Sequence, residues 1–359
     1  MQDVVIVGGS VAGASLGTKL AKDYDVTILE EHPHFKKTCS GIVTKVFHDL
    51  IKVKKDVIVN KVDTFRIYAP NKNYIEIKID QPDTIMHRES FNKFLAEKAM
   101  DEGCKLINSC KFMGLNNGKI LIQENNQNKK IKSNVLIGAD GALSQVAKST
   151  NLYGNRNFFI GVKAHAKLNH DNVIDVFPYI GKGGFAWIVP LQDNICEVGT
   201  MDYMKAGTRF NEFTKNFKIF DKEASIIPVY NPNLNLHKKI NDTRIYLIGD
   251  AATTAKATTG GSIIQSLKSS EILASSIKKN DNYTKKVRKE IGKDLWLHLQ
   301  MRKSFDKMSL NDWNKLVNAF NDKKVKSLLE NYSRDTPSSF LFKIFLRKPS
   351  LVSFVSKLF

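Results

Sequence analysis

Short apolar runs recur along this chain, and most of them end in a glycine or an acid. Val4 to Val7 is the first, Val26 to Leu29 the second, Val135 to Gly138 the third and Ile245 to Ile248 the fourth. Their β-branched composition and length predict strands, and Val11 to Lys22, between the first two, has helical composition. The start of the chain therefore reads as strand, helix, strand. Phe91, Phe94, Leu95 and Ala99 fall at helical spacing and predict a helix from Arg88 to Glu102, with Gly103 just past its end.

Elsewhere the pattern changes. Lys61 to Tyr68 and Tyr74 to Ile79 read as a hairpin, and short strands are expected at 105–107, 111–115 and 119–123. Asn116-Asn117-Gly118 is a type I′ turn signal, and 125–132 reads as a polar loop. Four strands then follow, at 158–167, 172–177, 184–190 and 195–200, which suggests an antiparallel sheet with a helix near 208–220 on one face. Helices are expected at 142–150, at 262–279 and from 283 to 329, where Trp296, Phe305, Trp313, Leu316 and Phe320 would pack. The fold class is α/β with an α+β insertion. Segments 1–60, 85–157 and 240–280 would interleave in one Rossmann-type nucleotide-binding domain, 61–84 and 158–239 would form the antiparallel-sheet substrate domain, and 281–359 a C-terminal helical region.

The turn between first strand and first helix holds the first chemistry. In such a unit one glycine allows the tight turn, the next lets backbone approach a pyrophosphate, and the last lets helix pack on strand, with the helix N-terminus facing the phosphates. Gly8 and Gly13 hold the outer positions and Ser10 the middle one. Glu30 or Glu31 stands where a carboxylate accepts the adenosine ribose hydroxyls. Farther on, Thr258-Thr-Gly-Gly261 enters a helix whose unpaired N–H groups face an anion or carbonyl oxygen.

Composition bounds the rest. At 359 residues, with 42% hydrophobic and 25% charged residues, the chain is long enough for about two folded domains. A formal net charge of +19 points either to Lys-rich solvated faces or to an anionic membrane surface. No nucleic-acid-binding motif accompanies it, so nucleic acid is not an expected partner. Cys39, Cys104, Cys110 and Cys196 lack C-x-x-C spacing and the chain opens directly on a strand, which predicts a cytoplasmic protein with no disulfide framework and no metal site. No window has the ~18 apolar residues of a membrane span. The terminus from Pro337 to Phe359 sets apolar clusters among Lys343, Arg347, Lys348 and Lys357, as either a packed helix pair or a peripheral anchor lying on the membrane. Cys39, in the small-residue turn Cys39-Ser40-Gly41, is either an inert filler or a thiol beside a ligand.

Taken in order, the glycine turn, Ala139-Asp-Gly141 and Ile248-Gly-Asp-Ala-Ala252 resemble the FAD-dependent oxidoreductases of the aromatic hydroxylase type. Lys37-Thr-Cys-Ser-Gly41, Phe185-Ala-Trp-Ile-Val-Pro190 and Lys256-Ala-Thr-Thr-Gly-Gly261 narrow the resemblance to the geranylgeranyl reductases of archaeal lipid synthesis. It spans residues 1–280. The resemblance implies that Gly8, Ser10 and Gly13 hold the FAD pyrophosphate, Glu30 the adenosine ribose and Arg88 the flavin's other end. It also implies that Asp250 binds the ribityl or pyrophosphate portion and that Gly260, Gly261, Ser262 and Ile263 cover the isoalloxazine edge. Asp140 matches a motif linked to FAD. The Cys39, Ser40, Gly41 loop would return to the flavin, with Cys39 as candidate proton donor, and Phe185, Trp187 and Pro190 would line a cavity for a prenyl chain. Ser10, Ala257 and Ser262 depart from the family's pattern without changing charge.

The activity so implied is saturation of C=C bonds in the geranylgeranyl chains of membrane ether lipids or their precursors, by reduced flavin and an acid. The electron donor would be NAD(P)H or a reduced carrier. Two other readings compete: an FAD- and NAD(P)H-dependent monooxygenase acting on an aromatic or quinone precursor, and a membrane-docked flavoprotein electron carrier without turnover. The Cys-Ser-Gly and Phe-x-Trp-x-x-Pro pair favours the reductase.

Overall fold

A computed structural model describes residues 2–181 and 183–352. Gln2–Val7 lies between Val26–Leu29 and Ser133–Gly138, all parallel, and Lys105–Ile107 and Thr243–Leu247 extend this sheet at either side. His237–Ile240 closes one edge antiparallel to Thr243–Leu247. Val4, Val5, Ile6, Leu29, Leu136, Ile137 and Leu247 are fully buried, as strands covered on both faces must be. Helices Val11–Leu20 and Ile263–Lys279 cover one face together, and the Ser270 hydroxyl donates to the carbonyl of Ala12 (2.9 Å). The C-terminal ends of the parallel strands, with the loops that leave them, point to one side, where ligands bind in sheets of this order.

The second sheet has eight strands, in the order Lys218–Pro228, Phe158–Lys167, Ile195–Asp202, Phe185–Pro190, Ile174–Phe177, Ile58–Tyr68, Tyr74–Met86 and Ile42–Val43. All neighbours are antiparallel except Ile174–Phe177 with Ile58–Tyr68. Segment 1–60 thus contributes strands to both sheets. Register places Phe159, Gly161, Lys163, Glu197, Gly199, Met201, Phe185, Trp187, Glu223, Ser225 and Ile227 on one face, because side chains alternate along each strand. The opposite face packs on the helix Ala206–Thr214 through Val162, Ala164, Ala166, Val198 and Phe210.

Four local expectations are corrected. Residues 127–131 form a strand, not a polar loop, since Asn125 (φ 47°) and Asn126 (φ 63°) adopt the left-handed pair of a second I′ hairpin. Residues 218–220 begin a strand, because the helix stops at Thr214. The helix expected over 142–150 is only Gln145–Ser149. The long helical stretch after 283 is broken into Tyr283–Val287, a π-turn at Arg288–Gly292, then Lys293–Phe305, Leu310–Phe320 and Lys323–Asn331.

Among the described residues no helix is long and apolar enough to cross a membrane, and no three His, Cys, Asp or Glu gather as a metal site. The four cysteines are free. Leu341–Arg347 is a short helix whose Ile344 is buried while Phe342 and Leu346 are exposed. Lys343 stacks on Tyr332, Arg347 donates to the carbonyl of Lys324 and Lys348 pairs with Asp322. Residues 353–359 of the expected terminal anchor, Lys357 among them, lie outside the described residues.

Candidate functional site

A cleft of about 330 Å³ opens along the C-terminal ends of the parallel strands. It gathers Gly8, Ser10, Glu30, Glu31, Arg88, Asp140, Gly141, Asp250, Ser262 and Ile263. Gly8 has φ 105°, and a Cβ there would lie 2.4 Å from the carbonyl oxygen of Ala139. At Gly13 a Cβ would lie 1.9 Å from the carbonyl oxygen of Gly8, so helix and strand meet backbone to backbone. Ser10 is the N-cap of Val11–Leu20, but its hydroxyl turns to Asn92 Oδ1 (3.2 Å) instead of capping the helix. The first amides of that helix therefore have no side-chain cap, and its N-terminus keeps its partial positive charge for an anion.

Glu30 and Glu31 part company. The Glu30 carboxylate accepts from the backbone N–H of Gly9 (2.8 Å) and of His32 (3.0 Å), which holds it over the glycine turn. Glu31 pairs with Lys111 at 2.9 Å, half exposed. Asp140 accepts from Ser144 Oγ (2.6 Å) and from the backbone N–H of Gln145 (2.7 Å) and Val146 (3.0 Å), so it shapes the turn after its strand. Burial pushes its carboxyl upward against those three donors.

Two side chains in the cleft have buried polar atoms without a partner. Arg88 donates through Nη2 to Asn92 Oδ1 (3.2 Å), while its Nε and Nη1 are unpartnered. Asp250 Oδ1 is unpartnered as well. Buried polar atoms are nearly always paired, so a groove with orphaned guanidinium and carboxylate atoms suits a ligand with both anionic and hydroxyl groups. A dinucleotide has both. The residues present therefore fit FAD: Glu30 for a ribose, the glycine turn and helix N-terminus for the pyrophosphate, Asp250 for hydroxyls and Arg88 for an anionic oxygen.

Cys39, Ser40 and Gly41 run between this cleft and the site face of the eight-stranded sheet. Gly41 has φ 69°, and a Cβ there would lie 2.3 Å from the Met86 carbonyl oxygen and 3.3 Å from Arg88 Cδ, which places the loop against Arg88. The carbonyl oxygen of Cys39 accepts from Lys163 Nζ (3.2 Å). Lys163 also pairs with Glu197 (2.7 Å), whose other oxygen accepts from Trp187 Nε1 (3.0 Å). Glu223 lies 4.0 Å from Lys163 and takes Lys36 at 2.7 Å. Burial opposes its ionisation, yet Lys36, Lys163 and the Thr38 hydroxyl hold Glu223 below the usual carboxylate range.

Inward of these charges the face is apolar. The Trp187 ring lies over Gly199, where a Cβ would come 2.2 Å from Cζ2, and Phe185 tilts against it at 5.2 Å between ring centres. Gly260 (φ 70°) brings the loop of 256–261 against Met201 and Ile227 of the same face. Pro190 is not brought to this group. Alternation turns its ring to the other face, and its backbone carbonyl accepts from Asn60 Nδ2 (3.0 Å).

The C-terminal region pins that loop. Arg302 donates to the carbonyls of Ala257 (3.0 Å) and Thr258 (2.9 Å), and His298 Nδ1 bonds the Thr258 hydroxyl (2.7 Å). Lys256 pairs with Asp335, which also accepts from Thr44 (2.6 Å), just beyond the Cys39 loop. Lys256 pulls Asp335 far below the usual carboxylate range despite its burial. Lys163, Glu197, Glu223, Asn92, His298, Arg302 and Asp335 escaped the sequence reading. Three left signals: Val162-Lys163-Ala164 and Cys196-Glu197-Val198 put a charge inside an apolar strand, and Asn92 follows Arg88 by one helical turn.

No family model matches the chain. Relatives named digeranylgeranylglycerophospholipid reductase align over most of it; that of Methanothrix thermoacetophila is 24% identical over 368 residues, covering 91% of this chain and 93% of the relative. Among solved structures, a geranylgeranyl bacteriochlorophyll reductase-like protein from Thermoplasma acidophilum superposes with a TM-score of 0.83 at 19% identity, covering 100% of this chain and 99% of that one. The halogenase PltM, solved in complex with FAD, superposes with a TM-score of 0.65 at 14% identity, covering 99% and 85%. The chain is a homologue of the geranylgeranyl reductases, with the fold of the FAD-dependent flavoproteins.

Proposed function

We propose that this protein is an FAD-dependent reductase that saturates C=C bonds in isoprenoid chains, the geranylgeranyl chains of membrane ether lipids or their precursors above all. The observation that carries the reading is a juxtaposition. A groove with dinucleotide chemistry and a face of Phe185, Trp187, Met201 and Ile227 are joined by one segment, in which Ala257 and Gly260 pack on the face and Ser262 and Ile263 line the groove. The names of the relatives point the same way.

Bound FAD, once reduced, would supply hydride equivalents. The chain's own part is to hold and exclude. Gly8, Ser10, Glu30, Arg88 and Asp250 would fix the dinucleotide, Ser262 and Ile263 would border its far end, and Trp187 with Phe185 would press an apolar chain against the site while keeping water out. Cys39, in the loop between groove and sheet, is the proposed proton donor; the electron donor is NAD(P)H or a reduced carrier. A monooxygenase would use the same groove and add oxygen to its product, and an electron carrier would leave the lipid unchanged.

The purified protein is expected to be yellow with non-covalent FAD. In cells making unsaturated archaeal ether lipids its expression should raise lipid masses by two hydrogens per step, read by mass spectrometry under labelled dioxygen. Label in the product would reassign the protein to the monooxygenases, and unchanged lipid masses in a yellow protein would leave the carrier.

A further inference from the structure

We propose that Lys163, held by Glu197, is a positioning residue that latches the Cys39 loop onto the eight-stranded sheet and so fixes the wall between the cofactor groove and the apolar face. The inference rests on the reading of that groove as the flavin site.

Lys163 lies on the site face at a break in register between Lys163 and His165 against the outer strand Lys218–Pro228. Such irregularities re-aim a side chain next to a site. Its ammonium is largely buried and has three oxygens around it: Glu197 at 2.7 Å, the Cys39 carbonyl at 3.2 Å and Glu223 at 4.0 Å. Only one of the three belongs to the loop. The loop is tied at its ends by other means, through Lys36 and Thr38 on Glu223 and through Gly41, whose carbonyl accepts from Met86 N–H (3.1 Å). Between those ends, Lys163 is the side chain that holds the backbone at Cys39 itself.

Stability alone is a poor reason for this pair. Desolvating two charges offsets most of their attraction, and apolar residues of the same size would serve a fold as well. What an apolar pair lacks is a donor aimed at the Cys39 carbonyl. Glu197 is aimed in turn by the indole N–H of Trp187, so one chain of bonds runs from the aromatic residue of the apolar face to the thiol loop. A shift at Trp187, such as a ligand would cause, reaches Cys39 through three polar links, Trp187 to Glu197, Glu197 to Lys163 and Lys163 to the Cys39 carbonyl.

Cys39 reports on the latch directly, because Cys104, Cys110 and Cys196 are buried and Cys39 is half exposed. Lys163→Met and Glu197→Gln each leave one charge behind, so the double variant Lys163→Met/Glu197→Gln is the safer host. In the protein without added substrate, iodoacetamide should label Cys39 about tenfold faster in the double variant than in the parent, measured by peptide mass spectrometry. Lys163→Arg, which keeps a donor, should stay within about threefold of the parent. With FAD bound, the double variant should lose kcat about tenfold at nearly unchanged FAD affinity. Equal labelling rates in parent and double variant overturn the proposal, as does an Arg variant that labels as fast as the double variant. Labelling needs neither hydride transfer nor lipid, so a protein that latches but reduces no C=C bond sinks the functional reading and spares the latch, while the converse result spares the function.

Discussion

At the scale of single residues, hydrogen bonding sets apart two neighbouring acids that both line the cleft. Glu30 is fixed by two backbone N–H groups over the glycine turn, whereas Glu31 is drawn outward by Lys111. A hydrogen bond to a charged group contributes on the order of 1.5–3 kcal/mol. Glu30→Ala should therefore weaken FAD binding about tenfold to a hundredfold in a fluorescence titration, and Glu31→Ala should leave it nearly unchanged. Equal effects would remove Glu30 from the ribose site. His298 offers a second residue-scale test. Burial, reinforced by Lys256 and opposed by Asp335, lowers its pKa to about 3 from an ordinary 6.5. The unfolded chain then binds a proton that the folded chain refuses, so stability is full above pH 6.5 and falls as the pH drops toward 3. The loss is on the order of 3–5 kcal/mol across that window. His298→Gln should flatten that part of a urea-denaturation pH profile, and an unchanged slope would mean that the acid sensitivity lies elsewhere.

At the scale of elements, what could be read from the chain depended on how local its cause was. The buried parallel strands, the helix from Arg88 and the Asn117-Gly118 turn each follow from neighbours in sequence, and the structure has all three. The strand of 127–131 did not announce itself, because it is polar along its exposed length and owes its existence to pairing with Lys119–Glu124. The same holds at the site. Gly8, Glu30, Arg88 and Asp250 stand at strand and helix ends and were legible there, while Lys163, Glu197 and Asp335 meet their partners only through tertiary folding. The loop of 256–261 is the clearest case, since its outer partners come from Arg302, His298 and Asp335. Removing one member of a buried pair costs about 3–5 kcal/mol. Asp335→Asn should lower thermal stability by that order and loosen FAD, and adding Lys256→Met should restore much of the stability, since no lone charge then stays buried. A double variant as unstable as Asp335→Asn would show that the cost comes from Thr44 instead.

At the scale of the molecule, a net charge of +19 coexists with exposed Phe342, Leu346 and Val352 near the C-terminus. Cations beside exposed apolar side chains suit an anionic bilayer surface. We expect the protein to sediment with anionic liposomes at low salt, and Phe342→Ser/Leu346→Ser to reduce the bound fraction severalfold without changing the melting temperature. Equal sedimentation would make the segment a packing element only. Deleting the segment from Ser333 onward is the wrong instrument, because it removes Asp335 along with the apolar surface.

That tie also sets an order of events during synthesis. Domains generally fold as units while the chain is being made, N-terminal parts first. Here the glycine turn, the Glu30 strand and the Arg88 helix are all translated before residue 102, yet Lys256 has no counter-charge until Asp335 has been added. The loop at the junction of groove and apolar face is therefore assembled among the last parts of the protein. A nascent chain stopped short of Asp335 would present a nearly finished nucleotide groove beside an unfinished loop.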